Sequence, residues 1–319
     1  MVLKTFFSGG AIERSADIRC DSAALARVWQ DSGTRFVAVW NSRCLIRDNT
    51  AVLLTREQLT LSSDFAEIDN SIYLGQLNNA HLFALILPDN LAQQGVSESD
   101  FANFRGLMSG LPADDAALLA YAKGMVEWRN RHRYCGLCGS LNQGDSGGFV
   151  MVCSNPACKH RSFPRIDPAI IVLVSEGERC LLGRQQTWPE GRFSTLAGFV
   201  EPGESLEDAV RREVKEESNI DVAVEDVIYQ GSQPWPFPTG MMVGFHAAAS
   251  STAIKLNDGE LAEARWFSRD DITAGSIVLP PPTSIAYRLI AHWFDQWPGP
   301  ALDTFALSGS FSKSTGERT

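Results

Sequence analysis

Residues Gly198 to Ile220 read GFVEPGESLEDAVRREVKEESNI, and the fold follows from how this stretch is read. Ser205 followed three positions later by Asp208 is a capping box, which predicts a helix beginning at Leu206. At about 100° per residue, Leu206, Ala209, Val210 and Val214 form one apolar stripe. Ala209 leads along that stripe to Glu213, then to Glu216 and Glu217, while Arg211, Lys215 and Ser218 lie opposite. A solvated acidic run belongs on the face away from the apolar stripe, and these three carboxylates do not lie there. Isolated buried charge is costly, so acids so placed call for a cation, and closely held oxygen ligands suit Mg²⁺ or Mn²⁺. An ordinary amphipathic helix with an acidic end has the same spacing, and the residues alone leave both readings open.

Upstream lies CGLCGS…VCSNPACKH: Cys135-x2-Cys138, 14 intervening residues, then Cys153-x4-Cys158. Gly136 and Gly139 let the backbone turn so that both first-pair thiolates face one ion. The spacing favours a closed, structural Zn²⁺ site over a redox pair or two disulfides. The other three of the seven cysteines, Cys20, Cys44 and Cys180, read as small buried hydrophobes.

Around these landmarks the chain divides. RFVAVW, RCLIR, SIYLGQL and HLFALILP, between Arg35 and Pro88, are short β-rich runs. DDAALLAYAKGMVEWRNRHRY reads as one amphipathic helix, with Leu118, Leu119, Ala122, Met125, Val126 and Arg129 on a face. DPAIIVLVSEGERCLLGRQ is a hairpin turning at Glu176-Gly177-Glu178, which opens a last α/β region. SQPWPFPTG, Ser232 to Gly240, sets prolines at alternate positions and should form neither helix nor central strand. The expected plan is α+β multidomain: a β-rich domain over 1–112, a connecting helix over 113–134, a zinc ribbon over 135–165, an α/β domain over 166–300 and a disordered tail over 301–319. The net charge of −10 argues against broad non-specific nucleic-acid binding. With no apolar run of membrane-spanning length and no signal-peptide core at the start, a cytoplasmic protein is expected.

The helix stretch resembles the Nudix box, G-x5-E-x7-R-E-U-x-E-E-x-G-U with U aliphatic. Gly198, Glu204, Arg212, Glu213, Val214, Glu216, Glu217 and Ile220 fit it, and Asn219 stands where the last glycine belongs. The resemblance implies an α/β/α sandwich that hydrolyses a nucleoside diphosphate linked to another moiety. It implies that Glu213 and Glu217 ligate Mg²⁺ or Mn²⁺, that Glu216 ligates or activates water, and that the Ala197 carbonyl adds a ligand. Glu204 and Arg212 resemble the family's structural ion pair. SQPWPFP, with the ribbon and the β-rich domain before it, resembles the NADH pyrophosphatase and NAD-capped RNA hydrolase branch, although Gly240 stands where Ser is usual.

That branch implies hydrolysis of NADH or NAD⁺ to a nicotinamide mononucleotide and AMP, removal of NAD caps from RNA, and a homodimer. It implies that Phe199 stacks on nicotinamide and that Gln233, Pro234, Trp235, Pro236, Phe237, Pro238, Thr239 and Gly240 line the substrate pocket. One of Trp235 and Phe237 is also expected to pack on the core beneath the loop. Phe163 matches a position reaching the partner subunit's site. Glu260 resembles a distal acidic ligand or base, with Glu263 its competitor. Arg105 matches a substrate-contacting arginine, and the main chain at Ala286 matches a contact to the base. ADP-ribose, diadenosine polyphosphates and a non-catalytic nucleotide sensor are the alternative readings.

Overall fold

Alternation along one strand organises the C-terminal part of the chain. In Asp167–Glu176, Ile170, Val172 and Val174 point to one face of the sheet, and Ile171 and Leu173 to the other. A strand apolar on both faces needs cover on both, and a helix supplies each. The computed structural model describes residues 2–59, 68–87, 98–103, 110–257 and 259–305. They form two compact units, one of Met1–Ser8, Asp167–Pro234 and Gly240–Thr319, the other of Gly9–Ile166 and Trp235–Thr239.

In the first unit the sheet order is Val222–Trp235, Gly240–Ala249, Asp167–Glu176, Arg179–Gln185, Leu261–Ser268. Asp167–Glu176 runs parallel to Gly240–Ala249 and antiparallel to Arg179–Gln185 and to Leu196–Phe199. The helix Leu206–Ser218 lays Ala209, Val210 and Val214, all fully buried, on the Ile170–Val172–Val174 face. The helix Ile285–Phe294 covers the opposite face with Ile285, Leu289, Ile290 and Trp293. The sheet with a helix on each face is the expected sandwich, and the hairpin turns at Gly177, with φ 56°.

Strand pairing continues through Pro234 to Trp235 on the sheet's edge strand, where a residue without an N–H is tolerated, so the stretch forms neither a helix nor a central strand. One expectation is corrected in this unit. The tail expected from 301 begins with ordered structure: Leu302 is wholly buried in the core, and the Phe305 ring lies 6.1 Å from that of Phe294. Residues 306–319 lie outside the described residues.

In the second unit the four expected runs form Arg35–Trp40, Arg43–Arg47, Ser71–Leu77 and Ala80–Ile86. Arg35–Trp40 pairs in parallel with Ala80–Ile86, and Trp29 sets its edge on Phe36 and Phe83 in the core. The helix Ala113–Arg131 departs from the amphipathic reading. Besides Leu118, Leu119, Ala122, Met125, Val126 and Arg129, all on the expected face, it buries Lys123, Glu127 and Trp128. Arg129 is buried because its guanidinium donates to the carbonyls of Ser71 (2.7 Å) and Asp69 (2.8 Å). The ribbon that follows pairs Val150–Cys153 with Asn142–Asp145 and with Arg161–Ser162. Among the described residues no helix is long and apolar enough to cross a membrane.

The box helix is delimited as its sequence predicts. Ser205 Oγ accepts the Asp208 N–H at 3.1 Å, and the Asp208 carboxylate accepts the Ser205 N–H at 3.4 Å. Asn219 ends the helix in the left-handed region at φ 65° and ψ 10°, and its amide donates to the Ala253 carbonyl. Ser218, expected opposite the apolar stripe, is instead buried, with its hydroxyl on the Val214 carbonyl. Replacing Asn219 with Ala is expected to cost ~1 kcal/mol of stability, because Ala lacks the short polar side chain by which Asn tolerates the left-handed region, whereas Asn219→Gly should be neutral or stabilising. Urea midpoints of the two variants check this.

Candidate active site and metal centre

The box helix brings the catalytic candidates together through one side chain. Arg212 donates from Nε to Glu204 Oε1 at 2.6 Å and from Nη2 to Glu204 Oε2 at 2.9 Å, a bidentate pair. Its Nη1 donates to Glu213 at 2.8 Å and to Glu216 at 3.1 Å, and Nη2 also reaches the Phe199 carbonyl at 2.9 Å. One guanidinium thus fixes the turn before the helix, two of its carboxylates and the end of the strand Leu196–Phe199. The Arg212 guanidinium, with the Glu201 N–H, holds the Glu204 carboxyl down at about 2.

Gly198 explains the glycine that opens the motif. A methyl group there would overlap the Glu213 carboxylate, so that carboxylate rests on bare backbone. The same strand carries Ala197, paired with Ile171 of the central strand. Burial pushes the Glu213 carboxyl up, with Glu216 and Glu260 adding repulsion against the Arg212 attraction. Glu217 is buried at 4% exposure and Glu216 is exposed. The apolar-side expectation therefore holds for Glu217, holds halfway for Glu213 and fails for Glu216, which reaches solvent beside Arg212. Glu260 is exposed and acts electrostatically on Glu213; Glu263 pairs with Arg184 (3.6 Å) and Arg265 (3.5 Å). Carboxylate oxygens on one helix, with a glycine clearing room for one of them, are a donor set that fits a hard divalent cation.

The remaining expected contacts divide. Phe199 is 67% exposed, free to meet a flat ring, and Phe163 is 62% exposed. Gln233 contradicts the substrate-lining expectation, being wholly buried. Its Nε2 donates to the carbonyls of Thr283 (2.8 Å) and Phe6 (3.3 Å), and its Oε1 accepts the Ile285 N–H at 2.9 Å. A helix N-terminus leaves N–H groups without intrahelical partners, and Gln233 takes one for Ile285–Phe294. Ala286 is likewise buried, and its N–H donates to Ser284 Oγ at 3.2 Å. Pro234 and Gly240 are partly exposed at the ends of their strands. Trp235 and Phe237 meet edge to face, centroids 5.2 Å apart at 74°, and both stay partly exposed. Pro236 is buried, and Pro238 and Thr239 are partly exposed. Arg105 lies outside the described residues.

In the ribbon the four cysteines converge. Among the described residues they are the set of three or more metal-ligating side chains whose donor atoms all lie within 4.8 Å of one another. The box-helix carboxylates are not drawn that close, Arg212 standing between Glu213 and Glu216. Tetrahedral ligation at Zn–S ≈ 2.3 Å sets sulfurs about 3.8 Å apart. Cys135 to Cys158 is 3.8 Å and Cys138 to Cys153 is 3.4 Å. Each arm turns back on itself: the Gly139 N–H donates to the Cys135 carbonyl at 2.9 Å, and the Cys158 N–H to that of Asn155 at 2.9 Å. Only Gly139 of the two expected glycines needs its freedom, at φ 74°; Gly136 keeps negative φ, and Lys159 takes the left-handed position in the second arm. Hydrogen bonds from Ser140 hold the Cys138 thiol down at about 6, while burial pushes Cys153 up to about 12. Full ionisation of such a set requires the dication it encloses.

The depressed Glu204 carboxyl stabilises the fold above its ordinary range, and this contribution is lost as pH falls through about 2. The melting-temperature gap between wild type and Glu204→Gln is therefore expected to be full at pH 7 and to narrow between pH 4.5 and 2. Thermal melts across that range check it; a gap that does not change with pH would assign the loss to packing.

Comparison with known proteins agrees with this layout. Residues 164–294 match the NUDIX domain, 33–128 the NADH pyrophosphatase-like rudimentary NUDIX domain, and 130–163 the NADH pyrophosphatase zinc ribbon domain. The NAD-capped RNA hydrolase NudC of Mycobacterium bovis is 35% identical over 301 residues, covering 84% of this chain and 94% of that protein. The NAD-capped RNA hydrolase NUDT12 of Homo sapiens is 41% identical over 198 residues, covering 57% of this chain and 42% of that protein. The chain thus spans less than half the length of the NUDT12 relatives it matches. With three consecutive domain matches and a relative aligned over nearly its whole length, the chain belongs to the Nudix hydrolase family, in the branch that joins a rudimentary Nudix domain and a zinc ribbon to the Nudix domain.

Proposed function

We propose that this protein hydrolyses the pyrophosphate bond of NADH or NAD⁺ to a nicotinamide mononucleotide and AMP, and that it removes NAD caps from RNA 5′ ends by the same cleavage. The carrying observation is the intact Glu213, Glu216 and Glu217 set on its Arg212 frame, in a chain resembling a named NAD-capped RNA hydrolase over 94% of that protein. Glu213, Glu217, Glu260 and the Ala197 carbonyl are the proposed ligands of Mg²⁺ or Mn²⁺. When bound, such ions lower the pKa of water and screen the diphosphate's charge.

The chain's own residues do the rest. Glu216, exposed at the mouth of the set, accepts the proton of the attacking water. The new P–O bond forms as the bridging P–O bond breaks, and the departing phosphate carries the bridging oxygen. Arg212 keeps Glu213 and Glu216 oriented, and through the Phe199 carbonyl it also fixes the backbone that presents the exposed Phe199 ring. That ring is the proposed stacking surface for nicotinamide. The tip Trp235–Thr239 is the proposed recognition loop. A cytoplasmic homodimer, with Phe163 turned to the partner's site, completes the proposal.

Steady-state hydrolysis of NADH, NAD⁺, ADP-ribose and NAD-capped RNA tests it, wild type beside Glu217→Gln. The nicotinamide dinucleotides are expected to be preferred, and Glu217→Gln should lower kcat by at least about 100-fold. Full activity in the variant would overturn the metal assignment. A clear preference for ADP-ribose would overturn the substrate. A chelator followed by Mg²⁺ or Mn²⁺ should abolish and then restore turnover while one zinc per chain remains bound.

A further inference from the structure

The second unit contains a buried lysine that the reaction above does not use. Lys123, in the middle of Ala113–Arg131, is 5% exposed. Its ammonium donates to the Pro236 carbonyl at 2.8 Å and lies 5.5 Å from the centre of the Phe237 ring. Glu127, one turn on, is 3.9 Å away, and its carboxylate also accepts the Ser42 hydroxyl and faces Arg131. A buried charge is tolerated only when paired and hydrogen-bonded, and these contacts supply that pairing.

The loop requires such a donor for a reason visible in its sequence. Pro234, Pro236 and Pro238 have no N–H, so the segment is poor in the backbone bonds by which a turn ordinarily holds itself. The Phe237 N–H closes on the Trp235 carbonyl at 2.7 Å, a bond within the tip that shapes it locally. A lysine suits this position because a flexible stem carries a point charge that serves a carbonyl and an aromatic face together. We propose that Lys123, held by Glu127, is a positioning residue that fixes Pro236 and Phe237 of the recognition loop and thereby sets affinity for the dinucleotide. This rests on the function proposed above and gives the long helix of the rudimentary domain a part in substrate selection.

The experiment compares wild type, Lys123→Met, which keeps the stem and loses the charge, and Lys123→Arg. Hydrogen exchange is followed at the amides of Phe237, Thr239 and Gly240, with kcat and KM for NADH in parallel. Lys123→Met is expected to speed exchange at the tip and to raise KM by about tenfold, the size of a hydrogen bond to a charged group, with kcat within twofold. Lys123→Arg should recover part of the KM. Unchanged exchange in Lys123→Met would overturn the anchoring. Faster exchange with an unchanged KM would overturn the role in recognition, as would an equal loss of kcat and stability, which marks a purely structural lysine. If wild type does not turn over NADH, the substrate reading fails by itself, and the exchange measurement still decides the anchoring.

Discussion

Arg212 is the interaction on which the site depends. Three acidic side chains converge on its guanidinium, and without a cation among them Glu213 and Glu216 would repel each other from adjacent turns of the same helix. It also reaches outside the helix, to Glu204 before it and to the Phe199 carbonyl on the neighbouring strand. The carboxylates are therefore oriented relative to the sheet, not merely to their own helix. Gly198 is the steric counterpart of this electrostatic frame, since the Glu213 carboxylate occupies the volume a side chain there would need. A glycine, an arginine and a glutamate spread over 16 residues of sequence, Gly198 to Glu213, thus describe one contact.

What is legible in the sequence is what is local and periodic. The capping box at Ser205, the left-handed stop at Asn219, the hairpin at Gly177 and the two-faced strand Asp167–Glu176 each follow from residue type at a fixed spacing. The cysteine ribbon is legible for the same reason. The misreadings share a different cause. Gln233 sits in a stretch expected to line the substrate pocket, yet its amide joins Phe6, Thr283 and Ile285, partners up to 227 positions away. Lys123 reads as part of an ordinary amphipathic helix because its carbonyl acceptor, on Pro236, is invisible to periodicity. Leu302 reads as part of a polar tail because one buried leucine carries no pattern.

The motif SQPWPFPTG consequently has two parts with different duties. Its first residues belong to the fold: Gln233 caps a helix and Ser232 accepts the Thr5 hydroxyl at its carbonyl. Its tip, from Trp235 to Thr239, clusters with the second unit and presents partly exposed aromatic edges. A substitution at Gln233 therefore reports on stability, whereas Trp235 and Phe237 belong to the proposed recognition loop. The Gly240 departure falls at the start of the strand Gly240–Ala249, opposite Asp167, and leaves the aromatic tip intact.

The two metal sites differ as their duties require. Four sulfurs within 4.8 Å of one another close a tetrahedral shell and leave no position for water, so the ribbon's zinc holds structure and cannot activate a nucleophile. The ribbon's own strands run only from two to four residues each, too little to bury a core, and metal binding supplies the free energy they lack. The carboxylate set is the reverse, oxygen donors spread along a helix from buried Glu217 to exposed Glu216 and held apart by an arginine. Such a set leaves coordination positions for water and phosphate oxygens, which is the condition for hydrolysis. The cysteines consequently bear on whether the ribbon folds, and the glutamates on the proposed hydrolysis.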